Sequence, residues 1–250
     1  MQEQTIAGWC GEFMRGLPEK PSFGREDAIL QAVRDARTTQ TTWVEVVSKH
    51  KEHELVLFVS ADALRVGDEQ GSVRVSVSAR TAQRIADLLG CVLPTTKVCD
   101  LIWEQAAVKL KPCIQKPDGA MGYTSRMIQH HTKVEAAYAG RQGLIENVGK
   151  HWVLTNRLAG TRNVSANYGW YDEAAPRKFG AHKMWQTLGL AHNLDHVDYS
   201  QVMRLVQRCC LVNGEERDLT EVMVDRTLAP LVSSEGPLRF TRLPGVKAEA

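Results

Sequence analysis

Leu55-Val56-Leu57-Phe58-Val59-Ser60 and, after the turn Gly67 to Gly71, Val73-Arg74-Val75-Ser76-Val77 form the stretch that decides the fold class. The first segment is a dense apolar run of strand length. The second alternates apolar and polar residues with a period of two. Together, residues 55–77 predict an antiparallel pair with one buried face. Immediately upstream, Trp43, Glu45 and Val47 mark the start of another strand.

Outward from this pair the period changes. Toward the N-terminus, Ile6, Trp9, Cys10, Phe13, Met14 and Leu17 recur at helical spacing, so residues 1–20 predict a short amphipathic helix, broken at Pro18 to Pro21. Arg25 to Arg37 predicts a second helix. Toward the C-terminus, Ser78 caps a helix that stops at Gly90. A further helix carries Val98, Leu101, Ile102 and Ala106 and ends by Pro112. Residues 111–125, with two prolines and two glycines, read as a surface loop or flap. Ser125 to Tyr138 predicts a helix. Beyond Trp152 the chain reads as β-rich, with strands at 151–156, 164–171 and 202–212, a hairpin at Asn213-Gly214 and a short helix over 218–225. Lys247 to Ala250 read as a frayed end.

The class that follows is α+β: N-terminal helices, an antiparallel strand pair, central helices and a β-rich C-terminal half. At 250 residues, the chain fits a single domain over 1–250, with 1–40 as a candidate helical N-terminal appendage.

Composition narrows the function classes. Apolar residues make up 43% and charged residues 24%, an ordinary globular balance. The 31 basic and 29 acidic residues leave a net charge of +2, which gives no electrostatic case for nucleic acid or a membrane surface. Glu3, Glu12 and Arg15 interrupt any signal-like run, so a cytoplasmic protein, or one released by lysis or assembly, is expected. The six cysteines lack C-x-x-C spacing and read as reduced thiols. Cys209 and Cys210, adjacent on a strand, face opposite ways. No phosphate loop or dinucleotide fingerprint is present.

Chemistry-bearing residues concentrate at Ala191-His192-Asn193-Leu194-Asp195-His196-Val197-Asp198-Tyr199-Ser200, just before the apolar run 202–212. Three readings fit. In the first, Ser200 is a nucleophile, His192 or His196 its base, Asp198 or Asp195 the orienting carboxylate, and Tyr199 or a backbone N–H the oxyanion donor. Lys150 and His131 join as candidate partners from earlier segments; of the neighbours His130 and His131, His131 is the one expected to face inward. In the second, His192, His196 and Asp198 hold zinc, although no H-E-x-x-H motif supports it; no cofactor is otherwise expected. In the third, the same groups form a buried network in a non-catalytic binding or virion-type structural protein. The candidate binding residues are Tyr168 and Trp170, as a stacking platform or as core aromatics beside a bulge, with Asn156 and Arg204.

These residues also carry a resemblance. Ala86-Asp87-Leu88-Leu89-Gly90-Cys91 with Leu93-Pro94-Thr95, Asp100-Leu101-Ile102-Trp103, Val153-Leu154-Thr155-Asn156, Tyr168-Gly169-Trp170, and His192 with Val197-Asp198-Tyr199-Ser200 and Arg204-Leu205-Val206 resemble a family of bacterial hypothetical proteins with no established activity. The resemblance implies kin, and no chemistry. The family pattern has His-Gly after the Ser, where this chain has Gln201-Val202, and Lys-Lys-Asp where this chain has Gly149-Lys150-His151. The His, Ser and Arg order is also faintly similar to the L,D-transpeptidase signature, whose nucleophilic Cys this chain lacks. The leading expectation is a hydrolase of a peptide or amide bond in a small-molecule or peptide-type substrate, with cell wall as one source. Oligomeric state is not legible.

Overall fold

A computed structural model describes residues 6–247. In chain order the elements are α1 (Gly8–Gly16), α2 (Phe23–Arg34), β1 (Trp43–His50), β2 (His53–Ser60), β3 (Arg65–Gly67), β4 (Ser72–Arg74), α3 (Ala79–Leu88), β5 (Cys91–Val92), α4 (Thr96–Gln105) and β6 (Val108–Lys109). They continue with α5 (Thr124–Tyr138), β7 (Ile145–Glu146), β8 (Lys150–Trp152), β9 (Ser165–Tyr171), β10 (Arg177–Phe179), β11 (His182–His192), β12 (Gln201–Val202), β13 (Val206–Val212), β14 (Glu215–Asp218) and α6 (Leu219–Val224). The fold is α+β, as expected.

Local signals placed the helices. The hydroxyls of Ser22, Ser78 and Thr95 each accept a backbone N–H three residues on, and Asp218 caps α6. Asn213 and Gly214 both adopt positive φ, 52° and 85°, which closes the β13–β14 hairpin. Helix α1 covers 8–16 of the expected 1–20; residues 1–5 and 248–250, including most of the expected frayed end, lie outside the described residues.

Strand pairing departs from the sequence reading. β2 pairs with β1 along its whole length and with β13 on its other side, not with residues 73–77. Instead β4 pairs with β3 across the expected turn, and Ser76 and Val77 run against β12. The segment 73–77 is buried on both faces, Arg74 and Ser76 included, because helix α5 covers one side. Alternation here marks polar residues that found buried partners, not a solvated face.

Two five-stranded sheets organise the rest. One runs β1-β2-β13-β14, with β5 joined to β13; the other runs β10-β11-β9-β8-β12, with β12 parallel to β8 and the remaining pairs antiparallel. The expected strand 202–212 is two strands, one in each sheet, broken at Met203-Arg204-Leu205 where the chain crosses over. The β10–β11 hairpin was not expected. Its long strand is mostly half-buried and its register against β9 slips twice, so no clean alternation marks it. One core cluster runs from Cys10 to Val246 and includes residues of both sheets and of α1 and α2. No described helix is long and apolar enough to cross a membrane. All six cysteines are free, with Cys209 exposed and Cys210 buried.

Candidate functional site

Strand β8 lies between β9 and the edge strand β12 in the second sheet, and its consecutive residues Lys150 and His151 face opposite sides. Each anchors a buried ionic cluster.

On one side, Lys150 Nζ donates to Asp198 Oδ2 at 2.9 Å. Ser200 donates to Asp198 Oδ1 twice, from its hydroxyl at 2.5 Å and from its backbone N–H at 2.8 Å. The Asp198 N–H in turn donates to Gln201 Oε1 at 2.8 Å. The chain reaches this geometry because Gly149 has no side chain: a Cβ there would lie 2.5 Å from the Ser200 carbonyl oxygen, which accepts the Lys150 N–H at 2.6 Å. Burial pushes the Asp198 carboxyl up, but the Lys150 ammonium and the Ser200 hydrogen bonds outweigh it and hold Asp198 below the usual carboxylate range. Lys150 also lies 5.2 Å over the Trp170 ring.

The sequence therefore named Lys150, Asp198 and Ser200 together, and the fold brings them together. Their surroundings differ from the expected pocket mouth. Ser200 has 0% exposure, Asp198 5% and Lys150 7%. Tyr199 is buried with its hydroxyl accepting the Gln115 N–H at 2.8 Å, so it is occupied by the 111–125 segment. His192 and His196 are half-buried and stack face to face, centroids 3.7 Å apart and planes within 5°. Among the described residues, neither hydrogen-bonds Ser200 or Asp198. Both are shifted down, first by burial, then by Lys150 at His192 and by His192 at His196, so both imidazoles are neutral at pH 7. Among the described residues no group of three or more His, Cys, Asp or Glu side chains is placed to hold a metal.

His131 lies elsewhere. Its Nδ1 accepts the Arg74 N–H at 3.2 Å, beside a network in which Arg74 pairs with Asp62 at 2.6 Å and Glu135 at 2.5 Å. Both histidines of the neighbouring pair are buried, which corrects the expectation that only one faces inward. Helix α5 is covered on two sides, by β4 and by Tyr199, and His130 is the member near Asp198, its ring 5.3 Å from that of Tyr199. Burial lowers His130 to about 3 and His131 to about 4. A cleft of about 190 Å³ opens beyond this network, lined by Thr42, Ser60, Asp62, Arg65 and Tyr138 among others.

On the other side of β8, His151 Nε2 meets Glu146 Oε1 at 2.9 Å, and Glu146 Oε2 accepts from Arg204 Nη2 at 3.0 Å. Arg204 also donates to the carbonyls of Ser60 and Ile145, both at 2.6 Å. Burial pushes Glu146 up, but His151 and Arg204 carry it down to about 2. Arg204, a candidate binding residue, is thus a joint between the sheets at the 203–205 crossover.

The remaining binding candidates are Tyr168, Trp170 and Asn156. Tyr168 and Tyr171 both donate to Asp100 Oδ1 at 2.9 Å, because positive φ at Gly169 (128°) and Trp170 (60°) breaks the alternation of β9. Tyr168, Trp170 and Tyr171 are all buried beside this irregular part of the strand. Asn156 clips the C-terminal segment, donating to the Pro237 carbonyl and accepting the Arg239 N–H.

Glu146, His130, Asn167 and Gln201 were not among the sequence candidates. Glu146 had a signal, a carboxylate set in the apolar run Leu144-Ile145 to Val148. Asn167 and Gln201 had none, since an amide in a strand reads as solvated. Among the described residues, both amide atoms of Asn167 are buried without a partner, as are His130 Nε2, Trp170 Nε1, His196 Nε2 and Gln201 Nε2. A buried polar group left unsatisfied costs about 1–3 kcal/mol.

No protein-family model, curated protein or solved structure matches the chain.

Proposed function

We propose that the chain is a non-catalytic binding protein in which Lys150, Asp198 and Ser200 form a structural network beside the binding face. One observation carries this reading: the fully buried Ser200 hydroxyl donates to a carboxylate already paired with Lys150. A serine nucleophile needs an approachable oxygen and a base poised near the working pH. Here the oxygen is covered, and Asp198 is held ionised, which makes it a weak base.

The test is covalent labelling. The intact protein is incubated with a fluorophosphonate and analysed by peptide mass spectrometry. No adduct at Ser200 is expected; a stoichiometric adduct overturns the reading. That result would restore the second one, hydrolysis of a peptide or amide bond. Its supporting observation is the half-exposed His192 and His196 pair, neutral as a general base must be, close enough to Asp198 and Lys150 to feel their charges.

A further inference from the structure

We propose that the cleft between segment 39–42, the β2–β3 connection and the C-terminal end of α5 binds a small uncharged ring bearing several hydroxyls, a pyranose sugar or a cyclitol. Ser200 is not among the residues that line this cleft, so the proposal is independent of whether Ser200 is a nucleophile.

The backbone makes the space. Segment 39–42 is tied to the β2–β3 connection at its two ends: the Thr39 N–H donates to the Arg65 carbonyl at 3.3 Å, and the Thr42 carbonyl accepts the Ala61 N–H at 2.8 Å. Between these ties, among the described residues, the backbones of Gln40 and Thr41 make no hydrogen bond to residues 62–64, and a cleft of about 190 Å³ opens there. Its walls are held by buried groups. Arg204 fixes the carbonyls of the lining residues Ser60 and Ile145, both at 2.6 Å. Asp62 accepts from the buried Arg74 guanidinium at 2.6 and 2.8 Å and from the Ala63 N–H at 2.6 Å. Walls that the fold already orders leave less ordering cost to the guest.

The lining selects the guest. Arg65 and Arg74 share one network with Asp62 and Glu135, two positive groups against two negative, so an ion of either sign would meet a like charge. The capacity left over is for hydrogen bonds. Arg65 spends Nε on Ser72 and Nη1 on Asp62 and Glu135, while its Nη2 has no partner among the described residues. The hydroxyls of Thr41, Thr42 and Tyr138, on half-buried or exposed side chains, make no hydrogen bond among the described residues either. A hydroxyl both donates and accepts, so a guest made of hydroxyls pairs with such a set in several ways. Size sets the limit. Drug-sized ligands occupy pockets of about 300 Å³ or more, so about 190 Å³ suits a single small ring.

The experiment titrates the full isotope-labelled chain with methyl glucopyranoside and with myo-inositol, each at millimolar concentration, and follows the backbone amide resonances. Cyclohexanol, a ring with one hydroxyl, and acetate, an anion, are the controls. Saturable shifts at residues 39–42, 61–65 and 138–143 are expected with at least one polyol. Affinity is expected to fall about fivefold in Thr41→Val and in Tyr138→Phe, for the loss of about one net hydrogen bond each. The arm that saturates separates a pyranose from a cyclitol. Both substitutions keep the side chain's shape and remove a hydroxyl that the fold does not use, so each variant is expected to fold and each tests the cleft independently. Failure of both polyols to saturate, equal binding of a control, shifts confined to residues outside the cleft, or unchanged affinity in both variants overturns the proposal. A fluorophosphonate adduct at Ser200 would overturn the non-catalytic reading and leave this one standing, so the two failures are distinguishable.

Discussion

Lys150 and His151 are neighbours on one three-residue strand, yet the clusters they anchor are built to different standards. On the His151 side, Glu146 and Arg204 are sealed at 0–1% exposure, and Arg204 bridges two carbonyls from other strands. On the Lys150 side the ion pair keeps 5–7% exposure and a half-exposed histidine pair stands beside it; among the described residues, buried nitrogens without a partner occur on both sides, His151 Nδ1 and Arg204 Nε included. A buried ion pair gains little net stability from its own attraction; what it gains is that removing one partner is costly, so the pair fixes a geometry. The sealed cluster fixes where the chain crosses between sheets. The leakier one fixes Trp170, Ser200 and Gln201 beside the half-exposed His192 and His196 pair.

The comparison is sharpest at Arg204. Arg204→Met leaves the Glu146 charge without its guanidinium and frees the Ser60 and Ile145 carbonyls. The expected loss is about 3–5 kcal/mol, a fall of roughly 10 °C or more in Tm for a chain of this size. Combining it with Glu146→Gln is expected to recover part of that loss, because no buried charge then stands unpaired. Calorimetric melts of the three variants check both statements. Lys150→Met should cost less, about 2–3 kcal/mol, since Asp198 keeps two hydrogen bonds from Ser200 and a little solvent. A Lys150→Met loss equal to that of Arg204→Met would erase the distinction between the two sides.

Acid should separate them next. His130 sits at about 3 in the folded chain, against 6.5 for an ordinary histidine, so the unfolded chain binds a proton between those values that the folded chain refuses. Stability is therefore full above about pH 6.5 and falls as pH drops toward 3. By pH 5 His130 alone accounts for about 2 kcal/mol. His131, at about 4, and the lowered His192 and His196 act in the same direction. Glu146, at about 2, has stability that is complete above its ordinary value of 4.5 and is lost only as pH falls from there toward 2. Asp198 behaves with the same sign. Urea midpoints at pH 7, 6 and 5 should decline in the wild type and decline less in His130→Phe; an unchanged slope in the variant would remove His130 from this account.

What was legible divides along the same line. Caps and turns depend on neighbouring residues, so Ser78 and Asn213-Gly214 were read correctly. Strand partners depend on distant ones: Leu55 to Ser60 is a strand in either reading, but nothing in it names β13 in place of Val73 to Val77. Lys150, Asp198 and Ser200 stood out through residue type and crowding, whereas their coverage by Tyr199 and the 111–125 segment is a tertiary fact. The His130 and His131 choice failed because a sequence assigns a helix one buried face and α5 has two. Glu146 was overlooked because its partners lie 5 and 58 residues away.

The smallest effect concerns Ser200→Ala, and it bears most directly on what the Lys150 side is for. The hydroxyl has no exposed surface, and it donates a 2.5 Å hydrogen bond to Asp198. Its removal leaves Asp198 with the Lys150 ammonium and the Ser200 N–H, so the carboxylate stays paired and the charge is not orphaned. The loss is then one charge-assisted hydrogen bond and a small void, about 1–2 kcal/mol, or a few degrees of Tm. It should be larger above the Asp198 titration range than below it, because protonation of the carboxyl weakens the bond that the variant lacks. A melt unchanged from wild type at pH 7 would mean that the hydroxyl contributes nothing to architecture. A hydroxyl kept without structural benefit is what a nucleophile looks like, so that outcome, more than any other here, would count for catalysis at this site. A drop of a few degrees that shrinks in acid places Ser200 with Arg204, among the residues that hold the fold in place.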